Sequence, residues 1–194
     1  MREIGRVVGL QVQVSSLKVG QSPRRYDPSP LQPVPALTLT PGGVVGLLDR
    51  ETSLVDVHHA DHPASKNSGG KNGISLGFTP HYDAMRARFG PHLTDGVAGE
   101  NVLIATDHPL TAEELAGGIV FAGEDGARLA LQHVIVAAPC VEFTRFALRF
   151  PDDRKPDATV TAALRFLGGG MRGFYATYSG EPALLRVGDR VLLG

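Results

Sequence analysis

Cysteine and tryptophan are nearly absent from this sequence, whose 194 residues include one cysteine, Cys140, and no tryptophan. A single cysteine cannot form an internal disulfide, and it cannot by itself hold an iron–sulfur cluster or a zinc ion. A chain that does not rely on disulfides is typical of a reducing compartment, so we expect a cytoplasmic protein.

Long apolar runs and an excess of one sign of charge are also missing. No stretch approaches the roughly 20 apolar residues that a transmembrane helix needs, and the N-terminus lacks a signal-peptide pattern. The net charge is −1, which gives no reason to expect binding to nucleic acid or to an anionic membrane surface. We therefore expect a globular protein whose partners are small molecules or other proteins.

Glycine and proline are abundant, with 24 and 14 residues, and they predict many turns and few long helices. Apolar residues alternate with polar ones over 4–14, which predicts a half-buried first strand. Further strands are predicted at 36–39, 44–48, 53–57, 102–104, 119–122, 127–138, 171–178, 184–187 and 191–193, and short helices at 79–90, 111–117 and 157–167. The pattern predicts a mainly β protein, a barrel with a few short helices.

The single cysteine follows directly on an apolar run. Residues 129–138 read as a buried strand, and Pro139 ends the hydrogen-bonding ladder because it has no N–H. Cys140 is therefore expected at the mouth of a strand, with Glu142 and Arg145 close behind it. A lone cysteine is most often an inert buried side chain, but a polar, cationic neighbourhood favours a reactive thiolate. From the residues alone, Cys140 is a candidate reactive thiol of unknown chemistry.

Three histidines lie within five positions, at His58, His59 and His62, and they raise the question of a metal site. Pro63 and the turn-forming residues after it make a helix there unfavourable, and zinc needs further ligands that the segment does not supply. We favour a loop whose polar side chains bond its own backbone. The Gly/Lys/Asn segment at 66–73 is a candidate backbone nest for an anion, although it does not have the Walker A spacing.

A charged and an amide side chain, Glu100 and Asn101, stand immediately before the apolar strand at 102–104. Such residues need partners when a strand begins there. Two interpretations are open: a turn in which Asn101 caps the backbone, or a polar pair at the same end of the sheet as Cys140.

Four short motifs carry a family resemblance. In chain order they are Gly99-Glu100-Asn101-Val102, Ala138-Pro139-Cys140-Val141-Glu142-Phe143, Arg172-Gly173-Phe174-Tyr175 and Val187-Gly188-Asp189-Arg190-Val191. With these motifs the chain resembles the MOSC domain, the domain named for the C-terminal part of molybdenum cofactor sulfurases. The resemblance is strongest over 95–194 and compatible with one MOSC domain over 1–194.

The resemblance implies a mainly antiparallel β-barrel with the cysteine in a cleft, and one of two chemistries. In one branch the thiolate ligates the molybdenum of a pterin cofactor (molybdopterin), and the protein reduces N-hydroxylated small molecules with electrons from a partner protein. In the other branch the cysteine carries sulfur, received as a persulfide from a pyridoxal phosphate-dependent cysteine desulfurase. A soft thiolate suits both uses.

Catalytic roles are implied at three positions: Cys140 as metal ligand or sulfur acceptor, Glu100 as an orienting or proton-carrying group, and Asn101 as a hydrogen-bond donor. Relatives also carry a Gly-Asp-x-His segment, for which this chain has Asp56-Val-His58, so no ligand role is carried over to these histidines.

Binding of the cofactor, whose phosphate needs basic groups and N–H donors, is implied at Lys18, Lys71, Asn101, Arg172 and Gly173.

Overall fold

The computed structural model describes residues 1–67, 69–151 and 155–194. Ser68, in the segment at 66–73 that was predicted to bind an anion, and residues 152–154 lie outside the described part. The described chain contains three helices, α1 Thr79–Phe89, α2 Val141–Leu148 and α3 Ala158–Leu167. Its strands are β1 Arg2–Gln13, β2 Lys18–Val19, β3 Arg25–Tyr26, β4 Leu31–Pro33, β5 Ala36–Thr40, β6 Gly43–Leu47, β7 Ser53–Val55, β8 Ile74–Phe78, β9 Val102–Thr106, β10 Ile119–Ala122, β11 Arg128–Val136, β12 Phe174–Thr177, β13 Ala183–Arg186 and β14 Arg190–Leu193.

Seven of these strands close into a barrel. Their order is β14-β10-β11-β12-β8-β9-β1, and β1 pairs back onto β14. The neighbours run antiparallel except β8 and β9, which are parallel. The predicted mainly β barrel with a few short helices is therefore confirmed.

Strand β1 shows how the sequence pattern produces the barrel wall. Its residues Val7, Leu10 and Val12 are buried in the barrel core, and the strand is long enough to pair with β14, β9 and β4 along its length. The register against β9 shifts between Val7 and Gly9, which re-aims the side chains that follow.

A second sheet and a two-stranded hairpin accompany the barrel, and residues of the second sheet share its apolar core. The four-stranded sheet has the order β13-β5-β6-β7, and the hairpin pairs β2 with β3, with Lys18 opposite Tyr26. A second apolar core lies outside the barrel, built around Tyr82, Met85 and Phe143. The cavity described below is lined from this hairpin and from the barrel.

Two helix predictions need correction. The sequence favours Thr79 as the cap of α1, with Pro80 as the first helical residue, but the N-cap position is Phe78 and no side chain caps the first turn. The predicted helix at 111–117 is a series of turns, although the capping contacts between Thr111 and Glu114 do form. Gly118, at φ +90°, ends that segment before a helix can propagate.

Of the two remaining helices, α3 begins where the sequence predicts it, and α2 was not predicted. Asp157 is the N-cap of α3 and accepts hydrogen bonds from the N–H groups of Thr159 and Val160 at 2.9 and 3.2 Å, in agreement with the helix predicted at 157–167. Helix α2 begins directly after Cys140.

Candidate functional site

A cavity of about 300 Å³ opens beside the cysteine. Four of the predicted residues line it, namely Lys18, Glu100, Cys140 and Arg172. Two further basic side chains that the sequence did not single out for this site, Arg24 and His58, line it as well. Lys66, from the segment at 66–73 that was predicted to bind an anion, also lines it. The wall is therefore rich in cationic side chains around one thiol.

Cys140 is the N-cap of α2 and follows the end of strand β11, as expected for a residue at a strand mouth. Strand β11 ends at Val136, and the chain turns through Pro139 before the helix begins. The sulfur of Cys140 accepts the N–H of Phe143 at 3.5 Å, and its carbonyl accepts the N–H of Thr144 at 3.0 Å. The thiol is half-buried and lies where the helix N-terminus places partial positive charge.

The carboxylate of Glu142, close to Cys140 in the chain, connects the β2–β3 hairpin to α2 through two ion pairs. Glu142 lies in the first turn of α2, 3.4 Å from the ammonium of Lys18 and 3.3 Å from the guanidinium of Arg24. Burial acts to raise the pKa of Glu142, but its backbone N–H, Lys18 and Cys140 outweigh that effect and hold the pKa below its ordinary value. These ion pairs hold two of the cavity's cations close to Cys140.

Glu100 is a buried carboxyl on the wall of the cavity. Its Oε2 accepts the hydroxyl of Tyr82 at 2.6 Å, whereas Oε1 has no hydrogen-bond partner among the described residues. Burial raises the pKa of Glu100, and the positive charge of Arg172 opposes that rise without cancelling it. A carboxyl with this environment can hold a proton at Oε1.

Arg172 is a half-buried cation with one free N–H group. Its Nη2 donates to the carbonyl of Ala98 at 2.9 Å, and the guanidinium carbon lies 5.9 Å from the centroid of the Phe143 ring. Burial acts to lower the pKa of Arg172, but Tyr175 and Glu100 outweigh it, so the pKa stays above its ordinary value. The Nε of Arg172 has no partner in the part of the chain that the structure describes.

Three predicted ligand-binding residues are not among those that line the cavity. Asn101 is buried and its amide is fully used: Oδ1 accepts the N–H and hydroxyl of Ser75, and Nδ2 donates to Gln11 and Asp56. Gly173 lies behind Glu100, where a Cβ would stand 3.2 Å from Oε1 of that residue. Lys71 is exposed, and Lys66 is the lysine of that loop that reaches the cavity.

The histidine segment is a loop, as predicted, and two of its three histidine side chains accept hydrogen bonds from the backbone of the segment. Nδ1 of His59 accepts the N–H of Asp61, and Nδ1 of His62 accepts the N–H of Ala64, both at 3.1 Å. His58 differs because it lines the cavity. Within the described residues no group of three or more His, Cys, Asp or Glu side chains is placed to hold a metal ion.

Comparison with known proteins bears on the fold alone. No family model matches the chain, and no curated protein matches its sequence. Among solved structures, the chain is similar to the YuaD protein from Bacillus subtilis, with 16% identity and a TM-score of 0.62 over 98% of this chain and 96% of that one. It is also similar to YiiM from Geobacillus stearothermophilus, with 16% identity and a TM-score of 0.51 over 100% of this chain and 74% of that one.

The likeness to these two structures supports a MOSC-like fold. Fold and site together describe a β-barrel protein with a cysteine-centred, cation-lined cavity. None of the helices in the described ranges is long and apolar enough to cross a membrane.

Proposed function

We propose that this protein binds molybdenum cofactor through the sulfur of Cys140 and reduces N-hydroxylated small molecules with electrons from a separate partner protein. The observation that carries the proposal is the position of the only thiol: it is half-buried in a cavity whose wall holds several cations and one protonatable carboxyl. A thiol held inside such a cavity suits a small anionic ligand better than an open protein–protein contact.

The residues present fit a molybdenum pterin group. A thiolate is the soft ligand that molybdenum in a sulfur-rich shell accepts, and the phosphate of the pterin needs cationic donors. Lys18, Lys66 and Arg172 all line the cavity, and the Nε of Arg172 has no other partner among the described residues. When bound, the cofactor supplies two-electron transfer at the metal.

The chain's own residues would hold the ligand, keep a proton beside it and place a cation near it. Cys140 would hold the ligand through its sulfur, which lies at the N-terminus of α2. Glu100 holds a proton at Oε1 next to the cavity, since burial favours its neutral form. Lys18 keeps its place through Glu142 and remains partly exposed to a ligand.

Metal analysis after expression in a host that makes the cofactor tests this proposal. We expect about one molybdenum per wild-type chain and a loss of at least tenfold in both Cys140→Ser and Cys140→Ala, because neither side chain offers a soft ligand. Glu3→Gln changes an exposed side chain that is far from Cys140 in the sequence, so it serves as the control and should bind as much molybdenum as wild type. Wild-type protein without molybdenum, or equal metal in the Cys140 variants, would contradict the proposal.

A second candidate function, sulfur transfer, is favoured by the same thiol being partly accessible at a helix N-terminus. In that step the Cys140 thiolate attacks the outer sulfur of a desulfurase persulfide, the sulfur–sulfur bond of the donor breaks, and the desulfurase thiolate leaves. Incubation with a cysteine desulfurase and cysteine should then add the mass of one sulfur atom to the chain, and Cys140→Ser should stay unchanged. An unaltered mass in wild type rules this candidate out.

A further inference from the structure

The cavity contains a histidine whose ring is held from behind by a buried carboxylate. Asp56 is fully buried, and its Oδ1 lies 2.8 Å from the backbone nitrogen of His58 and 3.1 Å from Nδ1 of the His58 ring. Its Oδ2 lies 2.7 Å from the backbone nitrogen of Gln13 and 2.9 Å from Nδ2 of Asn101.

This arrangement fixes the tautomer of the ring. The backbone groups of Gln13 and His58 and the amide of Asn101 all donate, so Asp56 acts there as an acceptor. Nδ1 of His58 must therefore donate as well, and the neutral ring carries its proton on Nδ1. Nε2 is left with its lone pair on a side chain that lines the cavity.

We propose that His58 is the proton-transferring residue of the cavity and that Asp56 is the positioning residue that fixes its ring. The inference rests on the proposed function. Reduction of an N-hydroxyl group to an amine consumes two electrons and two protons and releases water. The reduced cofactor would supply the electrons, and side chains of the cavity would relay the protons from solvent. An imidazole that takes a proton on Nε2 and passes it to the leaving hydroxyl meets this need.

Proton supply is thereby divided between two side chains of the cavity. Glu100 supplies one proton from Oε1, which has no hydrogen-bond partner among the described residues, and His58 takes up the other on the lone pair of Nε2 and passes it on. The remaining charged and titratable side chains that line the cavity are Lys18, Arg24, Tyr26, Lys66, Cys140, Arg172 and Tyr175. Lys66 lies in the loop that follows His58, and its backbone N–H donates to the carbonyl of Val57 at 2.7 Å, which keeps that loop against the histidine.

The structural half of the inference is tested on protein without cofactor. Nitrogen-15 NMR of the imidazole side chains reports which ring nitrogen carries the proton, and we expect neutral His58 to carry it on Nδ1. In Asp56→Asn the Nε2-protonated form should gain population, and circular dichroism shows whether that variant folds. If that variant does not fold, the wild-type spectrum alone decides. A wild-type ring protonated on Nε2 overturns the inference.

The catalytic half is tested on molybdenum-loaded protein with a small N-hydroxylated substrate. His58→Ala should retain molybdenum but lose about 10²–10³-fold in kcat, the usual contribution of a positioned proton donor. Added free imidazole should restore part of that rate, a recovery that a merely structural role would not show. His62→Gln, a change in the same loop at a residue outside the cavity lining, is the matched control and should keep the wild-type rate.

These outcomes separate the inference from the proposed function. If wild type binds molybdenum and reduces the substrate while His58→Ala does so at an unchanged rate, the assignment of His58 is wrong and the function stands. If wild type binds no molybdenum, the proposed function fails and the catalytic role of His58 fails with it, while the NMR result still decides the geometry.

Discussion

Glu100 fits into the barrel wall because two of its neighbours are glycines. A Cβ on Gly77 would stand 3.0 Å from the Glu100 carboxyl carbon, and a Cβ on Gly173 would stand 3.2 Å from Oε1. The two residues of the polar pair at 100–101 therefore have different roles. Glu100 lines the cavity. Asn101 does not, and its amide is hydrogen-bonded to Ser75, Gln11 and Asp56.

Replacing Gly173 by alanine should destabilise the protein far more than a glycine change in an open turn. At Gly173 the backbone has φ +124°, and the added Cβ would lie 2.6 Å from the carbonyl oxygen of Leu76. Gly126 also has a positive φ, +83°, but nothing lies within 4 Å of its Cβ position. We expect Gly126→Ala to cost about 1 kcal/mol in the free energy of unfolding and Gly173→Ala about 2 kcal/mol more, measured by urea denaturation. Equal losses would show that the approach to Leu76 is relaxed at no cost.

The residue scale also marks the limit of sequence reasoning at this site. Lys18, Glu100, Cys140 and Arg172 could be selected because their types and motifs match a ligand site. Arg24 and His58 lie in irregular segments and were not selected, and for the predicted segment at 66–73 the sequence did not show that Lys66 is the lysine that lines the cavity. Which loop side chains reach a cavity depends on tertiary geometry. The signal that was available for His58 is its two-residue spacing from Asp56, which allows a side-chain contact within one turn.

At the scale of elements, strands with period-two alternation and strong turn signals could be predicted from the sequence. Strand β8 and helix α2 could not. The strands predicted at 119–122 and 127–138 form as β10 and β11, which pair with each other from Ile119 to Ala122. Strand β8 has all five residues buried, so its sequence shows no alternation. Helix α2 is short and contains aromatic and β-branched residues, which favour strands in sequence patterns.

The beginning of α2 predicts how the two common cysteine substitutions will differ. Cys140 is the N-cap, and its sulfur accepts the N–H of Phe143 at 3.5 Å. Serine is a preferred N-cap residue and alanine is not. We expect the free energy of unfolding of Cys140→Ser to lie within about 0.5 kcal/mol of the wild-type value, and that of Cys140→Ala to lie about 1 kcal/mol below the wild-type value. Urea denaturation measures both. A Cys140→Ala protein as stable as Cys140→Ser would mean that the cap contributes nothing.

At the scale of the whole molecule, one barrel core and one outer core meet around α1. The helix buries Tyr82 and Met85 in the outer core, and Tyr82 carries the hydroxyl that bonds Glu100. On the same helix, His81 is buried near the rings of Phe78 and Phe174, with centroids 5.6 and 6.2 Å from its own. The stability of the packing between the two cores therefore depends on an imidazole that is neutral.

Acid should accordingly weaken the fold through His81. Burial lowers the pKa of His81 below its ordinary value of 6.5, and a backbone hydrogen bond to Leu110 offsets only part of that effect. The unfolded chain then binds the proton more readily than the folded one, so the stabilisation is complete above about pH 6.5 and is lost as the pH falls toward the folded pKa. Over that window the free energy of unfolding should drop by up to about 1.4 kcal/mol per pH unit.

The opposite shift at Glu100 makes a difference measurement necessary. Burial raises the pKa of Glu100, so the folded state takes up that proton more readily and gains stability as the pH falls. Subtracting the unfolding free energy of His81→Gln from that of wild type, from about pH 8 to about pH 5, cancels Glu100 and leaves the His81 contribution. Glutamine can still donate to the Leu110 carbonyl but does not titrate. His133→Asn, at an exposed position with φ 51° that asparagine tolerates, is the control and should follow wild type. If His81→Gln keeps the full acid dependence of wild type, the histidine does not limit the stability of the molecule.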